Sequence, residues 1–76
     1  MNILCADDER LALEALTGAL GKALPAENIF AFRSGQEALA LAEETPIDVA
    51  FLDIDMREMS GLELAARLKE LRGETN

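Results

Sequence analysis

Three short apolar segments alternate with three segments of helical periodicity along this chain, and this order restricts the fold more than any other feature. The apolar segments span residues 3–6, 28–32 and 47–52, and each is predicted to be a strand. The segments that follow them place leucine or alanine at three- and four-residue spacings, as amphipathic helices do. The order β-α-β-α-β-α is typical of an α/β protein with a parallel sheet. The 76 residues suffice for one small domain.

Residues that start and stop helices define the predicted helix boundaries. The first helix is predicted over residues 9–24, because its leucines form one stripe and Pro25 follows. Two serine–glutamate pairs with capping-box spacing predict where the second and third helices begin. These pairs are Ser34 with Glu37 and Ser60 with Glu63. The second helix is expected to end near Glu44 because Pro46 follows, and Gly73 is the predicted cap of the third. The buried stripe of the third helix is predicted to comprise Leu64, Leu68 and Leu71.

Right-handed crossovers leave few arrangements for three parallel strands. We expect a flavodoxin-like, doubly wound sheet with strand order 2-1-3, the first helix on one face and the second on the other. Residues 49–52 are apolar without alternation, which predicts that strand three is covered on both faces. Ligands of such sheets bind beyond the carboxyl ends of the strands where the order reverses, here between strands one and three.

Acidic residues stand at those two strand ends. Asp7 and Asp8 follow the first strand, where alone they would suit a helix cap, and Asp53 follows the third. Carboxylates gathered there repel by roughly 4 kcal/mol per pair at about 4 Å and an effective dielectric of about 20. Hard oxygen ligands suit Mg²⁺, which would also neutralise the oxygens of a phosphoryl group. The sequence therefore predicts a Mg²⁺ site at Asp7, Asp8 and Asp53, with Asp53 a candidate nucleophile that forms an aspartyl phosphate.

Composition excludes several other functions. The net charge of −8 argues against binding of nucleic acid or an anionic membrane by this segment. No signal peptide is recognised and no apolar run approaches transmembrane length, so a cytoplasmic location is expected. The one cysteine, Cys5, lies within strand one and is expected to be a small core residue in a reducing compartment. The chain has no histidine, which argues against histidine-based catalysis and zinc chemistry.

Two other site motifs share the acidic pattern of residues 53–55. An EF-hand loop does not fit, because Arg57 and Leu64 stand where oxygen ligands are required and Glu58 stands where glycine is required. The pattern also resembles the nucleophile motif of haloacid-dehalogenase-type phosphatases, although that motif follows the first strand and this one follows the third. A small phosphatase is therefore a third hypothesis, which lacks supporting residues.

The chain resembles the receiver domain of two-component response regulators over essentially its whole length. Three segments carry the resemblance, and they stand in the expected order and spacing. They are residues 5–9, residues 32–39, and residues 51–56 continued by residues 59–64. The resemblance implies that residues 1–76 form a partial receiver domain with three strands and three helices. The sequence around helices one and three is most similar to receivers that are joined to a LytTR-type DNA-binding domain.

The resemblance also implies roles for the acidic residues. Asp53 would be the phosphoacceptor for a phosphohistidine on a sensor histidine kinase. Mg²⁺ would be bound by the carboxylates of Asp8 and Asp53, by Asp7 through water, and by the backbone carbonyl of Asp55. Such a domain is a phosphoacceptor signalling module rather than an enzyme, and at most phosphorylates itself from a small phosphodonor.

The chain departs from the receiver pattern in two places. Arg57 stands where receivers usually have proline, so we expect a more mobile loop with unchanged metal ligands. A complete receiver has five strands and five helices, whereas this sequence stops at Asn76, where a fourth strand should begin. The hydroxyl residue of strand four, the lysine of strand five and the aromatic switch residue of receivers are therefore not expected among residues 1–76.

Strand three would be a long apolar edge in a sheet of three strands, and such edges promote aggregation. We therefore expect either that the chain is a fragment or that it forms a homodimer, through strand three or by segment exchange. An alternative function follows, in which the chain acts only as an assembly or interaction module and the acidic site is unused. Any DNA binding would belong to an output domain outside this segment.

Overall fold

The computed structural model describes residues 1–71 and has three strands and three helices in the predicted order. The strands are β1 (Asn2–Ala6), β2 (Asn28–Phe32) and β3 (Val49–Leu52), and the helices are α1 (Arg10–Ala23), α2 (Gly35–Glu44) and α3 (Gly61–Leu71). Gly73, the predicted cap of the third helix, lies outside the described residues. No helix in the described part of the chain has the length and apolar character needed to cross a membrane.

The sheet has the strand order β2-β1-β3, and both strand pairs are parallel. Ala6 at the end of β1 is in register with Phe32 at the end of β2 and with Leu52 at the end of β3. The ladder continues one residue further on each side, because Asp7 donates its N–H to Phe32 (3.1 Å) and Asp53 donates to Ala6 (2.9 Å). The flavodoxin-like α/β topology with order 2-1-3 is therefore confirmed, and the three carboxyl ends lie side by side.

Serine side chains cap α2 and α3 as the sequence predicts. The Ser34 hydroxyl oxygen accepts from the N–H of Glu37 (3.4 Å), and the Ser60 hydroxyl oxygen accepts from that of Glu63 (3.1 Å). Each bond satisfies one of the N–H groups that a helix leaves free in its first turn. Each cap thereby fixes the point where the chain turns from the carboxyl end of the sheet into a helix.

Strand β3 begins at Val49, two residues later than the sequence predicts. Pro46 has no N–H to give to a ladder. Asp48 then makes two hydrogen bonds to Asn2. The carboxylate of Asp48 accepts from the N–H of Asn2 (2.7 Å), where a backbone carbonyl would accept in a regular strand pair, and the N–H of Asp48 donates to the Asn2 carbonyl (2.9 Å). The carboxylate thus ends the regular pairing before Val49.

Successive side chains of β1 point to opposite faces of the sheet and enter two separate apolar cores. Ile3 and Cys5 pack with Leu13 under α1, whereas Leu4 and Ala6 pack on the face of α2 and α3. The second core also contains Ala38, Met56, Met59, Leu64 and Leu68. Both methionines of the β3–α3 loop are therefore packing residues. Burial raises the pKa of the Cys5 thiol, which keeps it protonated and unreactive, as expected of a core residue.

The prediction that strand three is covered on both faces is wrong for the described residues. Val49, Ala50 and Phe51 are exposed, because β3 lies at the edge of the sheet and α1 packs on β1 and β2 instead. A groove of about 440 Å³ runs beside β3 and the end of α3. Leu71, predicted to belong to the buried stripe of α3, lines this groove and is exposed.

Candidate metal and phosphoacceptor site

Three aspartates meet at the carboxyl end of the sheet. Asp7 and Asp8 directly follow β1, and Asp53 directly follows β3, its neighbour in the sheet. One carboxylate oxygen from each residue lies within 4.8 Å of the other two, and all three side chains are partly exposed. The register of the parallel strands therefore brings Asp53 next to Asp7 and Asp8, from which the sequence separates it by 45 positions or more.

Backbone contacts orient two of these carboxylates. An oxygen of Asp7 accepts from the N–H of Glu9 (2.9 Å), and an oxygen of Asp53 accepts from the N–H of Asp55 (3.3 Å). Each bond spans two residues, so each aspartate stabilises the turn by which the chain leaves its strand. The carboxylate of Asp55 is exposed and lies outside the trio, while its backbone is held next to Asp53. The ligand role of its carbonyl stays a prediction.

Two arginines approach the acidic cluster from neighbouring loops. The side chain of Arg33, which follows β2, donates to the backbone carbonyl of Asp8 from Nε (3.4 Å) and Nη2 (3.3 Å). Nε of Arg57, in the loop after β3, lies 3.8 Å from Oδ2 of Asp8. Neither contact was anticipated from the sequence, which indicated only that Arg57 replaces the usual proline.

Gly61 is a site residue that the sequence reasoning missed. A Cβ placed on Gly61 would lie 2.2 Å from the carbonyl oxygen of Asp53 and 2.8 Å from its carbonyl carbon. The N–H of Gly61 also donates to the carbonyl of Ile54 (3.0 Å). The first turn of α3 therefore packs directly on the backbone that carries Asp53. A glycine at the first helical position, where helix propensity disfavours it, was the available sign of this close approach.

The donor set fits a hard divalent cation. Three partly exposed carboxylates offer oxygen ligands while leaving positions open to water and to a phosphate, which is the coordination that Mg²⁺ prefers. The soft ligands that zinc or copper favour are not part of this cluster. At this edge of the sheet, the arrangement suits phosphate chemistry at a carboxylate oxygen.

Comparison with known proteins identifies the family of the chain. The family model described as the response regulator receiver domain matches residues 3–76. The positive alginate biosynthesis regulatory protein of Pseudomonas aeruginosa is 40% identical over 72 residues, which cover 92% of this chain and 29% of that protein. The sensory transduction protein LytR of Streptococcus mutans is 38% identical over 73 residues, which cover 93% of this chain and 30% of that protein.

Solved receiver structures have the same fold. The chemotaxis protein CheY4 of Vibrio cholerae superposes with a TM-score of 0.84 at 25% identity, covering 93% of this chain and 57% of the other. The receiver domain of the histidine kinase CKI1 from Arabidopsis thaliana, complexed with Mg²⁺ and BeF₃⁻, gives 0.85 at 28% identity, covering 95% of this chain and 56% of the other. The chain thus spans less than a third of these two regulators and over half of these two structures. By its sequence and its strand order, the chain belongs to the response regulator receiver domain family of two-component signalling proteins.

Proposed function

We propose that this chain is a phosphoacceptor module that takes a phosphoryl group on Asp53 in a Mg²⁺-dependent reaction. The observation that carries the proposal is the meeting of the Asp7, Asp8 and Asp53 carboxylates within 4.8 Å at the ends of β1 and β3. Membership of the receiver family supports it. So does the complex of the CKI1 receiver domain with Mg²⁺ and BeF₃⁻.

We propose the metal ligands that the resemblance to receiver domains implies, and the meeting of the three carboxylates supports them. Asp8 and Asp53 would bind Mg²⁺ through their carboxylates, Asp7 through a water molecule, and Asp55 through its backbone carbonyl. When bound, Mg²⁺ supplies positive charge that offsets the negative charge of the phosphoryl oxygens. That positive charge would also offset the electrostatic repulsion among the three carboxylates.

Asp53 has the accessibility and the rigid backbone that a nucleophile requires. Its side chain is partly exposed, while its N–H is fixed to Ala6 and its carbonyl lies against Gly61. In the proposed reaction an oxygen of Asp53 forms a bond to phosphorus as the P–N bond of a phosphohistidine breaks, and the histidine leaves. The partner is a sensor histidine kinase, and we infer a cytoplasmic location from this role.

Intact mass spectrometry tests the phosphoacceptor. Incubation with MgCl₂ and acetyl phosphate is expected to add one base-labile phosphoryl group to the wild type and none to Asp53→Asn. The control is Glu44→Gln, which removes an exposed carboxylate outside the trio and should keep the adduct. A folded wild type without an adduct, or an adduct that persists in Asp53→Asn, would contradict the proposal.

We also propose that the chain forms a homodimer in which the β3 edges of two copies pair, rather than one in which segments are exchanged. In residues 1–71, β3 pairs only with β1, and three of its apolar residues are exposed. An open strand edge accepts another strand through backbone hydrogen bonds. Two identical edges can satisfy each other around a two-fold axis. This surface is also what favours the second candidate function, an assembly module that does not use its acidic site.

Lysine substitutions on the two edges of the sheet test the dimer. Ala50→Lys on β3 is expected to give a monomer by light scattering, because a charged side chain on an edge strand disfavours pairing. Ala31→Lys is the matched control, since Ala31 is an exposed alanine on β2, the opposite edge. It should leave the dimer intact. A wild-type chain that is monodisperse as a monomer would contradict the dimer.

A further inference from the structure

Arg57 lies beside the acidic site and forms an ion pair with one of its members. Its Nε is 3.8 Å from Oδ2 of Asp8. The side chain of Arg57 is 89% exposed, whereas that of Asp8 is only 26% exposed. The pair therefore joins the partly buried carboxylate of Asp8, just after β1, to a guanidinium that is almost fully exposed.

The position of Asp8 does not depend on this ion pair. Its backbone carbonyl accepts two bonds from Arg33, and Asp7, the residue before it, is bonded to the end of β2. Arg57 can therefore leave without displacing Asp8. The Arg57 side chain is 89% exposed, so the guanidinium can withdraw into solvent, and Arg57 and Asp8 both line an open hollow of about 180 Å³.

The carboxylate of Asp8 thus contacts Arg57 in this structure and is also a proposed ligand of Mg²⁺. We propose that Arg57 is a built-in counter-ion that competes with Mg²⁺ for Asp8 and so lowers the Mg²⁺ affinity of the site. This inference rests on the proposed function, because it assumes that the acidic trio binds the metal. In the metal-free protein the guanidinium offsets part of the repulsion among the three carboxylates. A Mg²⁺ ion bound to Asp8 would be repelled by that guanidinium, so Arg57 has to move away.

The expected size of the effect follows from the exposure of the pair. Solvent-exposed ion pairs are weak, so removal of the competitor should tighten Mg²⁺ binding by about two- to fivefold. The difference should shrink at high salt, because ions screen exposed charges. A residue with a purely structural role in the loop would give no such salt dependence.

Calorimetric titration of the 76-residue protein with MgCl₂ tests the inference without any measurement of phosphorylation. Arg57→Gln is expected to bind Mg²⁺ about two- to fivefold more tightly than the wild type. Arg57→Lys, which keeps the charge, should stay near the wild type. Arg67→Gln is the matched control, because it removes the same charge from another exposed ion pair, that of Arg67 with Glu63 on α3 (3.6 Å). It should leave the dissociation constant unchanged.

Melting of the metal-free protein provides a second measurement. Arg57→Gln should melt at a slightly lower temperature than the wild type, since the trio loses its counter-ion, although it binds Mg²⁺ more tightly. Equal or weaker Mg²⁺ binding by folded Arg57→Gln would overturn the inference and leave the proposed function standing. A wild type that binds no Mg²⁺ would overturn both.

Discussion

Replacement of Gly61 by alanine is expected to lower the free energy of unfolding by about 1–3 kcal/mol, which is the usual cost of overpacking a tightly packed position. The new Cβ would lie 2.2 Å from the carbonyl oxygen of Asp53, and this neighbour is backbone that is itself bonded into the sheet. Either α3 or the end of β3 has to move. We therefore expect the phosphoryl adduct on Asp53 to form more slowly as well.

Gly18→Ala is the matched control for this experiment. Gly18 lies within α1, and a Cβ placed there would meet no atom of the described residues within 4 Å beyond its chain neighbours and the adjoining helix backbone. Alanine in an unobstructed helix interior should stabilise the protein by about 0.5–1 kcal/mol. Urea unfolding followed by circular dichroism should therefore shift in opposite directions for the two variants. A shift of Gly61→Ala in the direction of Gly18→Ala would show that the close approach to Asp53 does not constrain the chain.

The second large effect is expected at Leu64, which is 0% exposed. Its side chain belongs to the core of Leu4, Ala6, Met56 and Met59, which lies under the end of β1 and the loop after β3. Truncation to alanine should cost about 2–5 kcal/mol, because it removes buried methyl groups and leaves a cavity. A domain of this size has about 0.05–0.15 kcal/mol of stability per residue, so such a loss consumes much of the total.

Leu62→Ala is the matched control for Leu64→Ala, because it makes the same change of side chain in α3 at an exposed position. Leu62 lies on the same helix two residues earlier and is 70% exposed. The same substitution there should change the free energy of unfolding by no more than about 0.5 kcal/mol. Equal urea midpoints for the two variants would contradict the assignment of Leu64 to the core.

The sequence was sufficient to predict the features that depend on local pattern and on general rules of chain topology. The helix starts at Ser34 and Ser60 follow from capping chemistry, which acts over three residues. The strand order follows from the right-handed crossover rule, which leaves little choice once three parallel strands are identified. The meeting of Asp7, Asp8 and Asp53 then follows from the strand order alone, because the carboxyl ends of parallel neighbours share one edge.

The features that the sequence did not predict depend on contacts between distant segments. The start of β3 is set by hydrogen bonds between Asp48 and Asn2, whose spacing in the chain is 46 residues. The approach of Arg57 to Asp8 and that of Gly61 to Asp53 depend on how the β3–α3 loop folds back. An apolar run such as residues 49–52 indicates what a strand can pack against, but it does not reveal whether a neighbour is present. For that reason β3 was predicted to be covered on both faces and is instead an exposed edge.

The central position of β1 has a consequence for the lifetime of the site. Residues Ile3 to Ala6 are all buried and lie in register with a strand on each side. Backbone amides in such a strand exchange with deuterium only when the whole domain opens, whereas loops exchange through local fluctuations. Asp7 and Asp8 directly follow this strand, whose amides we expect to exchange slowly, whereas Arg57 belongs to a loop. We therefore expect the two sides of the ion pair to move on different timescales, so that a cation can enter or leave while the protein stays folded.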